Sequence, residues 1–198
     1  MKNEISSLNT KKHFAEALKK IVIQKSFSKV TVSELIRECK VNRKTFYYHF
    51  SDVYDLLKWT LEQEAIDVVK DFDLVEDYEE AVLFVIDYIQ LNHTFLNNIY
   101  HSLGREELKR FFYTDFVGIT ESIIKKAEEE TQVILPDNFK SFLSVFYTEA
   151  IVGILVEWIT HQEQQSKEEL VNYIFVVFRS SLPSIAKQFS NDPDMIFK

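Results

Sequence analysis

An all-α fold of about nine helices is what this sequence predicts, and three observations carry the prediction. Glycine and proline, the residues that interrupt helices, occur only three times each in 198 residues. Apolar residues recur at three- and four-residue spacing, as in Phe14, Leu18, Ile21 and Val22. Helix-start signals precede such runs: Thr31-Val32-Ser33-Glu34 and Ser166-Lys167-Glu168-Glu169 both have the S/T-x-x-E spacing of a capping box.

Taken in order, residues 9–25 form an amphipathic helix with Phe14, Leu18, Ile21 and Val22 inward. Thr31 opens a short helix that places Val32, Leu35, Ile36 and Cys39 on one face, and Val41 plugs the turn after it. Asn42 is suited to cap the next helix, its side chain reaching an orphan amide near Thr45. In that helix Phe46 and Phe50 make a buried stripe, which leaves Arg43, Lys44, Tyr47 and Tyr48 pointing elsewhere. A helix of two turns is marginal alone, so packing on the upstream helix must hold it.

Asp52 then caps a long helix reaching about Val69, with Leu56, Leu57, Leu61 and Val68 buried. Residues 71–80 are acidic, part linker and part helix start. Residues 81–91 are apolar nearly all round, which predicts a central helix covered on every side. Asn92 is expected to cap a shorter helix ending at Gly104, and residues 106–130 form another, rich in aromatics at Phe111, Phe112, Tyr113 and Phe116. The Leu135-Pro136-Asp137 loop separates it from two last helices, residues 138–161 and 167–188. Both are too hydrophobic for lone surface helices. Ala150, Ile151, Gly153, Ile154, Leu155 and Trp158 form one apolar band, and Tyr173, Ile174, Val177 and Phe178 form a second.

Charge divides the chain. The formal net charge is −8, yet residues 1–60 carry 12 Lys/Arg against 6 Asp/Glu, a balance of +6, and the remainder carries −14. Basic residues thus gather around the two short helices, as attraction to phosphate requires. No apolar run reaches the ~18 residues of a bilayer span, the N-terminal MKNEISSLNTKK is too polar for a secretory signal, and the single Cys39 fits a reducing cytoplasm. No Gly-rich phosphate loop, H-E-x-x-H or C-x-x-C occurs. His93 and His101 lack a third ligand at a coordinating offset. Catalysis, cofactors and metals are not expected.

The segment TVSELIRECKVNRKTFYYHF sets long donors and flat polar aromatics on one small face, which suits the edge of a duplex. It resembles the N-terminal DNA-binding domain of TetR-type transcriptional regulators, whose signature is a turn valine followed by T-[FL]-Y-x-[HY]-F. The matching residues are Val41, Thr45, Phe46, Tyr47, His49 and Phe50, continued by Leu56 and Leu57, and the likeness spans about residues 9–60. Two positions depart from the pattern: Lys40 stands where the family often has glycine, and Val53 where it often has a phosphate-binding lysine.

The resemblance implies a helix-turn-helix domain over residues 1–52 and a helical effector-binding and dimerisation domain over 53–198. It implies a cytoplasmic homodimer on a palindromic operator, usually a repressor. Arg43, Lys44, Thr45 and Tyr48 are then the candidates for base edges, and Thr31, Ser33, Tyr47 and His49 for phosphate. Phe84, Tyr88, Phe112, Phe116, Tyr147 and Trp158 are the candidate lining of an effector cavity, such cavities being mostly apolar. The two apolar bands supply the candidate dimer surface: Ile151, Gly153, Ile154, Trp158, Tyr173, Ile174, Val177 and Phe178. The stretch GILVEWITHQ with the Ser166 cap also resembles regulators related to the dihydroxyacetone-kinase operon activators. In that branch a kinase-like protein can act as coregulator in place of a small molecule, which makes activation the alternative to repression. A helical interaction module without DNA binding is the remaining reading.

Overall fold

Capping chemistry cuts the first sixty residues into four helices. The structure, a computed structural model, describes residues 2–66, 78–161 and 166–192. Helix α1 (Lys2–Gln24) begins about two turns before the expected start at residue 9. After a 3-10 turn at Phe27–Lys29 come α2 (Val32–Glu38), α3 (Arg43–His49) and α4 (Val53–Leu61). Asp52 caps α4 as expected, its carboxylate accepting from the Asp55 amide at 2.8 Å.

Within the described residues, the helix predicted from Asp52 to about Val69 changes type part-way. α4 stops at Leu61 and the chain passes into a π-helical turn, Glu62–Ile66. Within that turn Glu64 accepts from Lys19 of α1 at 2.7 Å and from the Tyr88 hydroxyl at 3.1 Å, and such turns recur at functional sites. Val68, Val69 and the acidic residues 71–77 lie outside the described residues.

Five longer helices follow: α5 (Tyr78–Leu91), α6 (His93–Leu103), α7 (Arg105–Thr131), α8 (Asp137–Thr160) and α9 (Lys167–Asn191). The described residues therefore contain nine α-helices and no strand. The expectation that residues 81–91 are covered all round needs correcting. Ala81, Val85, Ile86, Tyr88 and Ile89 are buried, but Gln90 and Leu91 at the end of α5 are exposed, Leu91 to 85%. Asn92 marks the boundary without capping α6; its amide instead donates back to the Tyr88 carbonyl at 2.9 Å, closing α5.

Phe14 of α1 meets Phe46 edge-on at 5.3 Å and Phe50 at 6.1 Å, and Phe50 in turn meets Trp59 of α4. Leu18, Val22, Leu35, Leu56 and Leu57 complete this core. Farther along, α7 and α8 pack closely, with Phe112, Phe116, Val152 and Val156 buried. Three buried hydroxyls bridge these helices: Thr120 lies 2.7 Å from Thr148 and 3.2 Å from Ser144. By length and composition α8 is apolar enough to cross a bilayer, contrary to the sequence expectation, because a span tolerates the charges that break an uninterrupted apolar run. Just over half of its most apolar stretch is buried against the chain itself.

Helix α6 ties the two regions together. Asn98 donates to the Val22 carbonyl at 2.8 Å, and the Ser102 hydroxyl accepts from the Phe27 amide at 2.9 Å.

Candidate nucleic-acid interface

The turn between α2 and α3 is a closed backbone motif. The Lys40 amide donates to the Arg37 carbonyl at 3.2 Å and the Val41 amide to the Ile36 carbonyl at 3.0 Å. This Schellman pairing needs a left-handed residue at its centre, and Lys40 supplies it at φ 54. The family's preference for glycine there is thus explained by geometry.

Both helices are capped as the sequence predicted. The Thr31 hydroxyl accepts from the Glu34 amide at 3.3 Å and the Glu34 carboxylate accepts from the Thr31 amide at 3.0 Å. Lys25 reinforces the box at 2.6 Å. That hydrogen bond, with those from Thr31, holds the Glu34 carboxyl down to about 2. Asn42 Oδ1 accepts from the Thr45 amide at 2.9 Å, which fixes the start of α3.

On this frame the side chains divide. Phe46 is fully buried and Phe50 nearly so, while Arg43, Lys44, Tyr47 and Tyr48 are exposed, Tyr48 to 82%. With Asn42 and Thr45 these four line one open hollow at the tip of α3. The Arg43 guanidinium sits 5.9 Å from the centroid of the Tyr47 ring, an arrangement worth about 0.5–1 kcal/mol at an exposed site. Among the described residues no carboxylate pairs with Arg43 or Lys44, so both cations remain available to an anion.

Other predicted residues are already engaged. Thr45 is half-buried and its hydroxyl donates to Asn42 Oδ1 at 3.2 Å. The Thr31 hydroxyl also donates to Glu34 at 2.8 Å, whereas Ser33 is exposed. His49 is half-buried, 3.5 Å from the Ser7 hydroxyl; burial first, and then the nearby Lys11 charge, lower its pKa. Cys39 is buried against the His13 carbonyl, and burial pushes its thiol up to about 11.

The candidate effector and dimer residues are spread over α5 to α9. Phe112 and Phe116 pack edge-on at 6.3 Å. Tyr147 is buried, donates or accepts at Ser181 at 2.7 Å and packs on Phe178 at 4.9 Å. Phe84 is half-buried, and Trp158 is buried with an indole N–H that has no acceptor among the described residues. None of these lines the hollow at α3, nor a second one between α7 and the start of α8 around Glu121, Glu128 and Lys140. The dimer set separates by exposure. Ile151, Trp158, Ile174 and Phe178 face the chain's own core; Ile154, Tyr173 and Val177 face outward, and a side chain added at Gly153 would meet nothing within 4 Å. Phe142, Val145, Phe146 and Val176 are also outward-facing on α8 and α9.

A capped, short, cation-bearing helix, presented by a turn and braced from behind by two more helices, defines a helix-turn-helix DNA-binding protein. Comparison with known proteins makes the class specific. Residues 15–58 match the pattern described as "Bacterial regulatory proteins, tetR family", and residues 76–180 match "Transcriptional regulator C-terminal region". The chain belongs to the TetR family of transcriptional regulators. It is 24% identical over 174 residues to the HTH-type dhaKLM operon transcriptional activator DhaS of Lactococcus lactis subsp. lactis (strain IL1403), covering 87% of this chain and 92% of that protein. A solved structure described as dihydroxyacetone kinase operon activator DhaS superposes with a TM-score of 0.72 at 23% identity, covering 87% of this chain and 96% of the other. That likeness is one of fold.

Proposed function

We propose that this protein binds a palindromic operator as a cytoplasmic homodimer and responds to an effector at its helical domain. In this reading residues 1–52 are the DNA-reading head and residues 53–198 the effector and dimerisation domain. Arg43, Lys44 and Tyr48 read base edges; Thr45 joins them when it releases Asn42. Ser33, Tyr47, His49 and Thr31 meet phosphates. The observation that carries the reading is the exposed, unpaired cationic face of α3 on a capped turn. Two such helices, one DNA turn or ~34–36 Å apart in a twofold dimer, would enter successive major grooves. The outward apolar residues Ile154, Tyr173, Val176 and Val177 support pairing through α8 and α9.

An effector shifts operator affinity only by its differential affinity for two arrangements of the heads. The relative named an activator, aligned over 92% of its length, favours a second reading in which operator binding activates transcription; the resemblance of GILVEWITHQ to that branch is what suggests a protein coregulator in place of a small molecule. Repression is the family's more usual outcome. A promoter fusion carrying the selected operator separates the two by the sign of its response.

The deciding experiment is selection of bound duplexes from a random pool, followed by affinity measurement across salt. Paired half-sites and a steep fall of affinity with salt are expected, because each neutralised phosphate adds about −0.9 to the log–log slope. A flat salt response, or no enriched sequence, would leave the helical interaction module as the better reading.

A further inference from the structure

Glu64 sits in the π turn that ends α4, and its carboxylate serves two helices at once. Lys19 of α1 donates to Oε2 at 2.7 Å, and the Tyr88 hydroxyl of α5 donates to the same oxygen at 3.1 Å. The Lys19 ammonium also lies 5.9 Å from the centre of the Tyr88 ring. Lys19 lies on α1 next to Leu18, whose side chain is fully buried, so it moves with the head. Tyr88 is only 7% exposed and lies on a helix of the other region. The carboxylate and ammonium keep about a quarter of their surface in water. Such a partly wet pair adds little to stability, but it has strong directional demands. These three side chains are 24 and 45 residues apart in sequence and meet where the continuous helix is interrupted.

We propose that Glu64 is a positioning residue for operator recognition: by gripping Lys19 and Tyr88 together it sets the angle of the DNA-reading head, and the Tyr88 hydroxyl is the group through which the helical domain adjusts that angle. The inference rests on the twofold operator reading above. Burial and the adjacent Glu64 charge both raise the Tyr88 pKa, so the hydroxyl stays protonated and remains a donor. Anything that draws the Tyr88 hydroxyl away leaves Glu64 held by Lys19 alone.

The test uses the full-length protein and a duplex selected by the wild type. Affinity is measured for that duplex and for one with a single base pair inserted between half-sites, in the wild type, Glu64→Gln, Tyr88→Phe and the double variant. Tyr88→Phe removes one oxygen and keeps the ring over Lys19. We expect each single variant to lose at least about fivefold of the discrimination between the two spacings, the low end of typical coupling between sites. The double variant should lose no more than the larger single loss, because both changes break one linkage. Unchanged discrimination alongside a lowered melting temperature would mean the three side chains merely stabilise the fold, and the proposal would be overturned. Losses that multiply in the double variant would overturn it too. If Glu64→Gln fails to fold, Tyr88→Phe alone decides. If the wild type selects no paired half-sites, the operator reading itself fails and takes this inference with it.

Discussion

Replacing Lys40 by glycine should stabilise the protein, and the structure fixes how much. Lys40 sits at φ 54, where its Cβ is crowded against the backbone, a conformation costing an L-residue roughly 1–2 kcal/mol. Glycine adopts it freely, but the unfolded chain gains freedom worth roughly 0.5–1 kcal/mol. The remainder spans about 0–1.5 kcal/mol and centres on a stabilisation of about 0.5–1 kcal/mol. Nothing else of weight changes, because both hydrogen bonds of the turn use backbone atoms and the Lys40 side chain is exposed. For a chain of this size that free energy raises the melting temperature by roughly 1–4 °C. Guanidinium unfolding of wild type, Lys40→Gly and Lys40→Ala measures it, the alanine variant removing the charge while keeping the strained Cβ. Glycine should exceed alanine by the full amount. Equal midpoints for the two variants would show that the left-handed turn carries no strain, and the reasoning would fail.

Further expectations concern the same head. Asn42→Ala deletes the cap of α3 and should cost about 1 kcal/mol, seen as faster hydrogen exchange at the Thr45 amide; unchanged exchange would show the cap to be idle. Lys44→Ala should cost ~1–3 kcal/mol on the selected operator and much less on random duplex, and equal losses on both would move Lys44 from base reading to phosphate contact. The Glu34 carboxyl, held at about 2 against an ordinary 4.5, contributes stability that is complete above pH 4.5 and disappears as pH falls through 2. Glu34→Gln should therefore flatten the loss of urea midpoint over that interval, and an unaltered slope would contradict the assignment. Cys39, buried with its thiol near 11, should resist alkylation at pH 8 until the protein unfolds; prompt labelling of the native protein would show the motif opening locally.

The head was legible because its information is local. Thr31, Asn42 and Asp52 each cap from a side chain three residues from its target, as Ser166 does in the helical domain, a relation that sequence spacing states directly. Phe46 and Phe50, four apart, had to share a face on any helix. What escaped was set by partners distant in sequence. In the π turn Glu64 meets Lys19 and Tyr88, and the brace on the capping box comes from Lys25, nine residues before Glu34. Asn92 had the right residue type for a cap, yet the carbonyl it meets lies behind it. In α8 and α9 the sequence located the apolar helices but not which of their faces turn outward. Ile151 and Ile154 are three apart and chemically identical, yet one is buried and the other 42% exposed. Packing, rather than hydrophobicity, makes that choice.

An acidic chain can still present a cationic surface where its carboxylates lie elsewhere. Lys19, Lys20, Lys25 and Lys58 on the elements flanking α2 and α3 are each paired, with Glu64, Glu38, Glu34 and Glu62, while Lys11 lies over the Phe50 and Trp59 rings. At the tip of α3, among the described residues, Arg43 faces a tyrosine ring instead of a carboxylate. The same economy recurs in the helical domain, where Lys109 meets Glu149, Lys140 meets Glu128 and Lys167 meets Asp87. Screening makes local arrangement matter more than the total of −8, since at physiological salt a charge is felt over only about 8 Å. A phosphate approaching α3 within that range meets Arg43, Lys44 and the helix N-terminus before it meets the acidic helices behind. Placing a carboxylate four residues from Lys44, at Tyr48, would supply the pair the helix lacks. That one change should weaken every duplex, specific or random, while leaving the fold intact.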